Sequence, residues 1–223
     1  MSQRSSGRQA IGLAATVRSL SLADATYPSV LRAYLGDQAP ERIFTLGDLD
    51  ILQEKTLGLF CSVKCPGNLI LKTYDLAREL RDAGVTVISG FHSPMEKECL
   101  SLLLRGEQPV IWCPAKRLAA KGLSREYAKP LSACRLLMLS PFGEEVTRAT
   151  QDTARRRNQL VAALADRVFV AYAAPGGKTE AFCREVVKWG KLLLTFDCPE
   201  NAGLLARGAQ AYAGPGSVQE TRT

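Results

Sequence analysis

From residue 57 onward, short apolar runs alternate with longer amphipathic stretches. Short runs rich in aliphatic and β-branched side chains favour buried strands, and the stretches between them favour helices. The pattern predicts strands at residues 57–63, 85–90, 108–114, 135–142, 165–173 and 192–197. Between them it predicts helices at residues 70–84 and 94–106, each ending at a glycine, and a third across residues 147–165.

The pattern before residue 50 is different. Residues 1–9 are polar and small, which predicts a frayed end. Two helices are predicted from apolar residues at helical spacing, the first on Ile11, Leu13, Val17 and Leu20 and the second on residues 27–35, with Pro28 near its start. Residues 42–48 alternate in polarity and end in a turn, so they predict a short edge strand.

Strands that alternate with helices at this spacing predict βαβ units and therefore a mainly parallel sheet. We expect an α/β fold with a Rossmann-like, doubly wound sheet and a short N-terminal helical segment. The predicted division is a helical segment with an edge strand (1–50), the main domain (51–215) and a disordered tail (216–223). Sheets of this kind bind ligands outside the carboxyl ends of their strands, so the loops there are the place to look for a site.

Composition narrows the class of protein. The chain has 223 residues and a net charge of +7, which suits an anionic partner such as nucleic acid or a nucleotide. Its 7 cysteines are odd in number and show no paired CxxC spacing, which favours a reducing, cytoplasmic location. Cys61 and Cys65 are the closest pair, but with His92 as the one histidine they do not make a zinc site. We expect no metal, no cofactor and no membrane span.

The loops after the predicted strands contain glycine beside hydroxyl or basic residues. They are CSVKCPGN (61–68), SGFHSPMEKE (89–98), SPFGEE (140–145) and YAAPGGKTE (172–180). In the last one, Gly176 and Gly177 permit a turn, Lys178 supplies a positive charge, and Thr179 caps a helix and can donate to a phosphate oxygen. A turn and cap without any ligand explain the same residues. Neither the P-loop spacing nor GxGxxG occurs at these loops.

Four arginines precede the fifth predicted strand: Arg148, Arg155, Arg156 and Arg157. Asn158 directly follows the last of them. Consecutive residues of a helix are rotated by about 100 degrees, so three adjacent arginines cannot all face one ligand. One or two of them can therefore contact a phosphate, and the others form a solvated face.

The order of these segments resembles the DprA/Smf DNA-processing family. The likeness covers residues 27–212, excludes that family's C-terminal winged-helix domain, and is most specific in AGVTVISG (83–90) and RRNQLVAALADRVFVAYA (156–173). It implies an extended Rossmann fold that binds single-stranded DNA, forms a homodimer and delivers DNA to a RecA-type recombinase. By position, the implied binding residues are Ser62 with Lys64, Ser89 with Gly90, Arg157 with Asn158, and Gly177 with Lys178 and Thr179. Gln159 stands where the family has a second arginine.

We therefore expect a single-stranded DNA-binding protein without catalytic turnover. Phosphates are expected to bind Lys64, Arg156, Arg157 and Lys178, and Phe91 or His92 is available for stacking on a base. The alternative is a nucleotide-binding sensor or an enzyme that resembles the nucleotide phosphoribohydrolases, whose P-G-G-x-G-T element is similar to PGGKTE; its carboxylates would come from Glu96, Glu98 or Glu180. A protein-interaction module that has lost its ligand is the third possibility.

Overall fold

The computed structural model describes residues 16–216. Its strands are β1 (Arg18–Ser21), β2 (Arg42–Gly47), β3 (Thr56–Phe60), β4 (Thr86–Ser89), β5 (Val110–Trp112), β6 (Leu136–Ser140), β7 (Arg167–Val170), β8 (Leu193–Thr195) and β9 (Gln210–Ala211). Its α-helices are α1 (Val30–Leu35), α2 (Gly67–Asp82), α3 (Pro94–Leu103), α4 (Arg125–Ser132), α5 (Gln151–Leu164), α6 (Lys178–Lys188) and α7 (Ala202–Leu205). The strands and helices predicted after residue 50 all form; their bounds are shorter by a few residues, except that α2 begins at Gly67, three residues before its predicted start.

The strands form one sheet in the order β1-β2-β6-β5-β4-β3-β7-β8-β9. All neighbours from β6 through β9 pair in parallel, whereas β1 and β2 run antiparallel to their neighbours. Strand order reverses at β3, since β4 lies on one side of it and β7 on the other. This confirms the doubly wound, mainly parallel sheet, and it places the topological switch point between β3 and β7.

Helices cover both faces of the sheet, which is why the strands are apolar on both sides. Every residue of β3, β4 and β6 is buried. One core lies under α1, α5, α6 and α7, and the other lies under α2, α3 and α4. The helices are amphipathic, as α2 illustrates with its buried positions Leu69, Thr73, Leu76, Ala77 and Leu80. Across residues 16–216, no helix has the length and apolar character that a membrane span requires.

The N-terminal segment differs from its prediction in two respects. The strand at residues 42–48 was predicted at an edge, but β2 lies inside the sheet because β1 pairs with its outer side, Leu20 opposite Ile43. The helix predicted through Val17 and Leu20 is wrong for residues 18–21, where Leu20 points into the core and Arg18 to solvent. A four-residue strand is too short to show its period of two in the sequence. The frayed end predicted at residues 1–9, Ile11, Leu13 and residues 217–223 of the predicted tail lie outside the described residues.

A buried lysine fastens the N-terminal segment to the sheet. Lys191 Nζ donates a hydrogen bond to Ala163 O at 2.7 Å and another to Ala165 O, both at the end of α5. The same ammonium lies 4.2 Å from the ring centroid of Tyr34, which belongs to α1. Burial lowers the pKa of Lys191 to about 8. The lysine therefore joins α1 to α5, the helix that carries the arginine run.

Candidate nucleic-acid interface

Ser62 joins the loops that follow β3 and β7, on the two sides of the switch point. Its N–H donates to Tyr172 O at 2.9 Å, and its Oγ accepts a hydrogen bond from the N–H of Ala174 at 3.0 Å. The side chain is 9% exposed. Ser62 thus holds the two loops in register, at the edge where the resemblance places DNA.

We expect Ser62→Ala to lower the free energy of unfolding by about 1–2 kcal/mol, because the N–H of Ala174 loses its acceptor. The matched control is Ser132→Ala, which removes an exposed hydroxyl bound to Lys129 O and should change stability by less than about 0.5 kcal/mol. Urea denaturation of both variants measures the difference. Equal midpoints for the two variants would show that the Ser62 hydroxyl does not hold the loops.

Ser89 and Phe91 are buried residues that fix the backbone at the start of the second loop (residues 89–98). Ser89 Oγ donates to Leu59 O at 2.6 Å and accepts from the N–H of Phe91 at 3.3 Å. Phe91 has φ of 43° and its ring is buried, with 2% of its surface exposed. The prediction that Phe91 stacks on a base is therefore wrong, since the left-handed turn directs its ring into the core. His92 is exposed on the same loop and stays available for stacking.

Arg157 is inside the protein, beneath the second loop. It is 4% exposed, and its Nη1 donates to Cys113 O at 3.0 Å while its Nε donates to Asn158 Oδ1 at 2.8 Å. A Cβ on Gly90 would lie 1.6 Å from Nη1, so the guanidinium occupies the space that a side chain there would fill. Burial lowers the pKa of Arg157, and the charge of Glu96 opposes this effect.

This position corrects the sequence-based expectation that Arg157 binds phosphate. Its guanidinium holds the ends of β4 and β5 and orients Asn158, and it does so from within the core. Arg157 is therefore a positioning residue. The likeness to the family indicated the importance of the Arg157–Asn158 pair, but burial is a property of the packed helix that the motif alone does not reveal.

The three adjacent arginines point in different directions, as helical geometry requires. Arg156 lies over the ring of Phe142, with 5.5 Å between its Cζ and the ring centroid. It lines a cavity of about 380 Å³ between α5 and residues 35–41, away from Lys178. Arg155 pairs with Asp152 at 3.0 Å and lies on the helix edge between this cavity and a second one.

The second cavity lies between the N-terminal halves of α5 and α6 and has a volume of about 460 Å³. Its walls are Gln151, Asp152, Ala154, Arg155, Asn158, Lys178, Thr179, Ala181, Phe182 and Glu185. Lys178 reaches across it, because its Nζ donates to Gln151 Oε1 at 2.6 Å. Three of the predicted binding residues, Asn158, Lys178 and Thr179, are thus brought together.

The glycine pair makes the turn that opens α6. Gly176 has φ of 69°, a left-handed conformation, and a Cβ on Gly177 would lie 2.8 Å from Ala174 O. Gly177 is the N-cap residue, so Thr179 already lies within the helix and does not cap it, contrary to the sequence-based expectation. The carboxylate of Glu180 acts in its place by accepting from the N–H of Gly176 at 2.9 Å.

Two of the three carboxylates proposed for the hydrolase alternative are engaged elsewhere, and the third, Glu98, is exposed on α3 and does not line the cavity. Glu180 is 7% exposed and pairs with Arg207 at 3.1 Å and Arg184 at 3.6 Å. Glu96 is 8% exposed and accepts hydrogen bonds from the N–H groups of His92 and Ser93, closing a capping box on α3. Both carboxylates therefore cap helices. Within residues 16–216, no cluster of three or more His, Cys, Asp or Glu side chains could hold a metal ion.

The other predicted residues do not line the cavity. Lys64 and His92 are exposed on the first and second loops, while Ser62, Ser89 and Gly90 are buried beneath them. Sequence reasoning missed Gln151 and Phe182 as cavity residues. The signal for Gln151 was its spacing, because Gln151, Arg155 and Asn158 are separated by four and three positions and so share one face of α5.

A comparison with models of protein families identifies the family of this chain. The model of DNA recombination-mediator protein A matches residues 18–181. The chain belongs to this family. The match extends from β1 into α6, so it includes all of α5 and the first residues of α6, the two helices that line the cavity. The family described as DNA recombination-mediator protein A is the one that the DprA resemblance indicated. A search of curated protein sequences found no match.

Two solved structures of DNA processing protein A share the recombination-mediator fold. The protein from Streptococcus pneumoniae is 20% identical with a TM-score of 0.75, and the match covers 92% of this chain and 75% of that one. The protein from Helicobacter pylori is 20% identical with a TM-score of 0.70, covering 91% of this chain and 92% of that one. The latter structure concerns a single-stranded DNA binding mode of the Helicobacter protein. At this identity, both likenesses establish the fold.

Proposed function

We propose that the protein binds single-stranded DNA at the carboxyl edge of its sheet, with the cavity between α5 and α6 as the central contact. The observation that carries this proposal is the convergence of Asn158, Lys178 and Thr179 on one cavity of about 460 Å³. Membership of the recombination-mediator family and the DNA binding described for the Helicobacter pylori relative support it.

The cavity offers separate places for a phosphate and a base. Lys178 is exposed in the first turn of α6, where backbone N–H groups without helical partners also favour an anion. Asn158 can donate from its amide, since its Oδ1 is held by Arg157. Ala154, Ala181 and Phe182 supply apolar lining, and a volume of this size accommodates a base.

One of the two acidic side chains at the cavity is paired with a cation, so it opposes a phosphate less than an isolated charge would. Asp152 pairs with Arg155 at 3.0 Å. Glu185 accepts a hydrogen bond from Gln159 Nε2 at 3.0 Å. Gln159, which stands where the family has a second arginine, thus has a structural role as the donor to Glu185. A phosphate would replace Gln151 as the partner of Lys178.

A strand that leaves the cavity would continue over the first and second loops. Lys64 is exposed on the first loop and supplies a second phosphate contact, and His92 is exposed on the second and supplies a surface for stacking. The net charge of +7 favours a polyanion over a neutral ligand. In this role we infer that the protein acts in DNA processing, uptake or recombination as a homodimer that supplies a RecA-type recombinase, an inference that rests on family resemblance.

The direct test is a titration of fluorescently labelled oligo-dT at increasing salt concentrations. We expect the logarithm of the binding constant to fall linearly with the logarithm of salt, with a slope of about −1.4 to −2.1 for two to three phosphate contacts. A deoxythymidine monophosphate competitor should bind much more weakly. Absence of binding at low salt would overturn the proposal, and preferential binding of the mononucleotide would favour the nucleotide-sensor alternative.

A further inference from the structure

The loop after β5 leads into a segment of strongly positive charge, residues 116–129, which we call the basic segment. Glu126 is its single acidic residue. Its five basic residues are Lys116, Arg117, Lys121, Arg125 and Lys129. All of these except Arg117 are exposed, and within residues 16–216 none of the four exposed cations forms an ion pair. The proposed DNA site gives these four charges no role.

The other two charges of the basic segment are engaged with neighbouring elements. Arg117 pairs with Glu144, in the loop after β6. Glu126 accepts a hydrogen bond from Ser101 Oγ, on α3. Because the one carboxylate of the segment is held against α3, it does not pair with the exposed cations. The segment therefore presents positive charge to solvent without internal neutralisation.

Arg125 and Lys129 lie on one exposed face of α4. They are four positions apart, so their side chains are neighbours on the helix, while the opposite face buries Pro130 and Leu131. Like charges at this spacing destabilise a helix. A ligand that carries negative charges at regular intervals removes this repulsion, and the phosphates of a nucleic acid are such a ligand.

The backbone of the basic segment is fixed at both ends. Lys116 O accepts a hydrogen bond from Ser140 Oγ at 2.8 Å. In α4, the ring of Tyr127 packs against Trp112, with 4.9 Å between the ring centroids. Trp112 Nε1 in turn donates to Gly90 O at 3.2 Å. The exposed charges are thus carried on a backbone that is tied to the second loop of the proposed site.

The strand order places the start of the basic segment on the same edge as the proposed DNA site. The order along the sheet is β7-β3-β4-β5, and these strands are parallel, so their carboxyl ends share one edge. The cavity adjoins the start of α6 after β7, Lys64 follows β3, His92 follows β4 and Lys116 follows β5. Neighbouring strands are about 4.8 Å apart, so three spacings, about 14 Å, separate the end of β7 from the end of β5.

We propose that the basic segment binds the phosphates of single-stranded DNA that extends past the second loop. The proposal rests on the proposed function, because the strand is the one that occupies the cavity. The strand passes Lys64 and His92, crosses the end of β5 at Lys116 and continues along the exposed face of α4. Contacts of lysine and arginine with phosphates carry no base information, so this part of the path is independent of sequence.

A nucleic acid fits this surface better than an acidic protein does. Protein interfaces have an apolar core with a polar rim. Among the residues that the structure describes, the exposed large apolar side chains are Leu22, Val63 and Leu71, and none of them belongs to the basic segment. A surface of cations without an apolar centre matches a polyanion.

The test compares labelled oligo-dT of about 5 and about 15 nucleotides in salt titrations of the full-length protein. The short oligonucleotide has about four phosphates, enough for the two to three contacts expected at the cavity and loops. The long one should give a slope that is steeper by about 1.4, for two further contacts, and should bind at least about 10-fold more tightly at low salt.

Replacing Lys121 and Arg125 together by alanine should remove this difference. We expect the slope for the long oligonucleotide to return to that of the short one and its affinity to fall about 10-fold at low salt, while affinity for the short one changes by less than about threefold. Lys121→Arg combined with Arg125→Lys keeps both charges and should keep the wild-type slope. Circular dichroism confirms that the variants are folded.

The matched control is Arg105→Ala combined with Lys188→Ala. It also removes one lysine and one arginine, both exposed and both near the C-terminal ends of helices, α3 and α6, that run away from the carboxyl edge. It should preserve the difference between the two oligonucleotides. Equal losses in the two double-alanine variants would show an effect of net charge alone and overturn the proposal.

The remaining outcomes separate this proposal from the proposed function. If the long oligonucleotide binds wild type but the double-alanine variant at Lys121 and Arg125 binds it unchanged, the extended path is overturned and an acidic protein becomes the favoured partner of the segment. The proposed site in the cavity would still stand. Absence of binding of the long oligonucleotide to wild type at low salt would overturn the proposed function, and the extended path with it.

Discussion

Replacing Arg157 by alanine is expected to lower the free energy of unfolding by about 2–4 kcal/mol, while replacing its neighbour Arg156 costs less than about 1 kcal/mol. Arg157 is buried, and its guanidinium satisfies Cys113 O and orients Asn158. The alanine variant leaves a buried carbonyl without its donor and a cavity beneath Gly90. Arg156 is exposed and contributes mainly a contact with the ring of Phe142.

Urea denaturation of the two variants, monitored by circular dichroism, measures the difference. Arg157→Lys should lie between wild type and Arg157→Ala, because an ammonium can reach one of the two acceptors but lacks the planar fork. If Arg157→Ala were as stable as Arg156→Ala and lost only DNA affinity, Arg157 would be a ligand contact as the family motif implies. Arg157 would then not have the positioning role.

Replacing Lys178 by glutamate is expected to weaken binding of oligo-dT by about 10- to 100-fold at low salt, because it both removes a phosphate contact and adds a negative charge to the cavity. Lys178→Ala should weaken binding less and reduce the magnitude of the salt slope by about 0.7, the value for one contact with a single strand. Lys178 begins α6 and lines the cavity, where its Nζ now bonds to Gln151. Binding is measured by fluorescence anisotropy across a series of salt concentrations.

The chain offers a matched control on the same helix. Lys188 is exposed in the last turn of α6, away from the cavity. Lys188→Glu changes the net charge by the same amount as Lys178→Glu, so it reports the effect of overall charge alone. We expect it to change affinity by less than about threefold. Equal losses for the two variants would show that binding responds to net charge and that the cavity is not the site.

The six strands predicted after residue 50 could be found from sequence because they are mostly buried on both faces, and the longer helices could be found because they repeat their apolar face. The two-residue strand β9, which is exposed, and the four-residue helix α7 were not predicted. Residues 86–89 illustrate the buried strands, since all four are buried and their run TVIS is too apolar and β-branched for a loop. The N-terminal strand β1 could not be predicted. Its four residues form a strand because β2 offers an unpaired edge, a partner distant in sequence.

The candidate site was predictable to the level of its loops. The glycine turn at Gly176 and the helix start at Lys178 follow from local chemistry, because a left-handed conformation favours glycine and an N-terminal turn needs acceptors. The roles of individual side chains did not follow. Glu180 as the substitute cap, Ser62 as the link between loops and Phe91 as a buried ring each depend on a neighbour that only the folded chain supplies.

The sequence by itself determined the parallel part of the sheet, the order of its main helices and the edge at which a ligand is expected, because strand and helix periodicity and glycine turns are local properties. Only the tertiary structure decided where Arg155, Arg156 and Arg157 lie: at the exposed edge of α5, at the cavity next to residues 35–41, and in the core, respectively. The rotation of α5 sets that outcome, and the rotation is fixed by how Leu160 and Val161 pack against the sheet. The three adjacent arginines thus have the same guanidinium group, but packing gives each a different degree of burial and different partners.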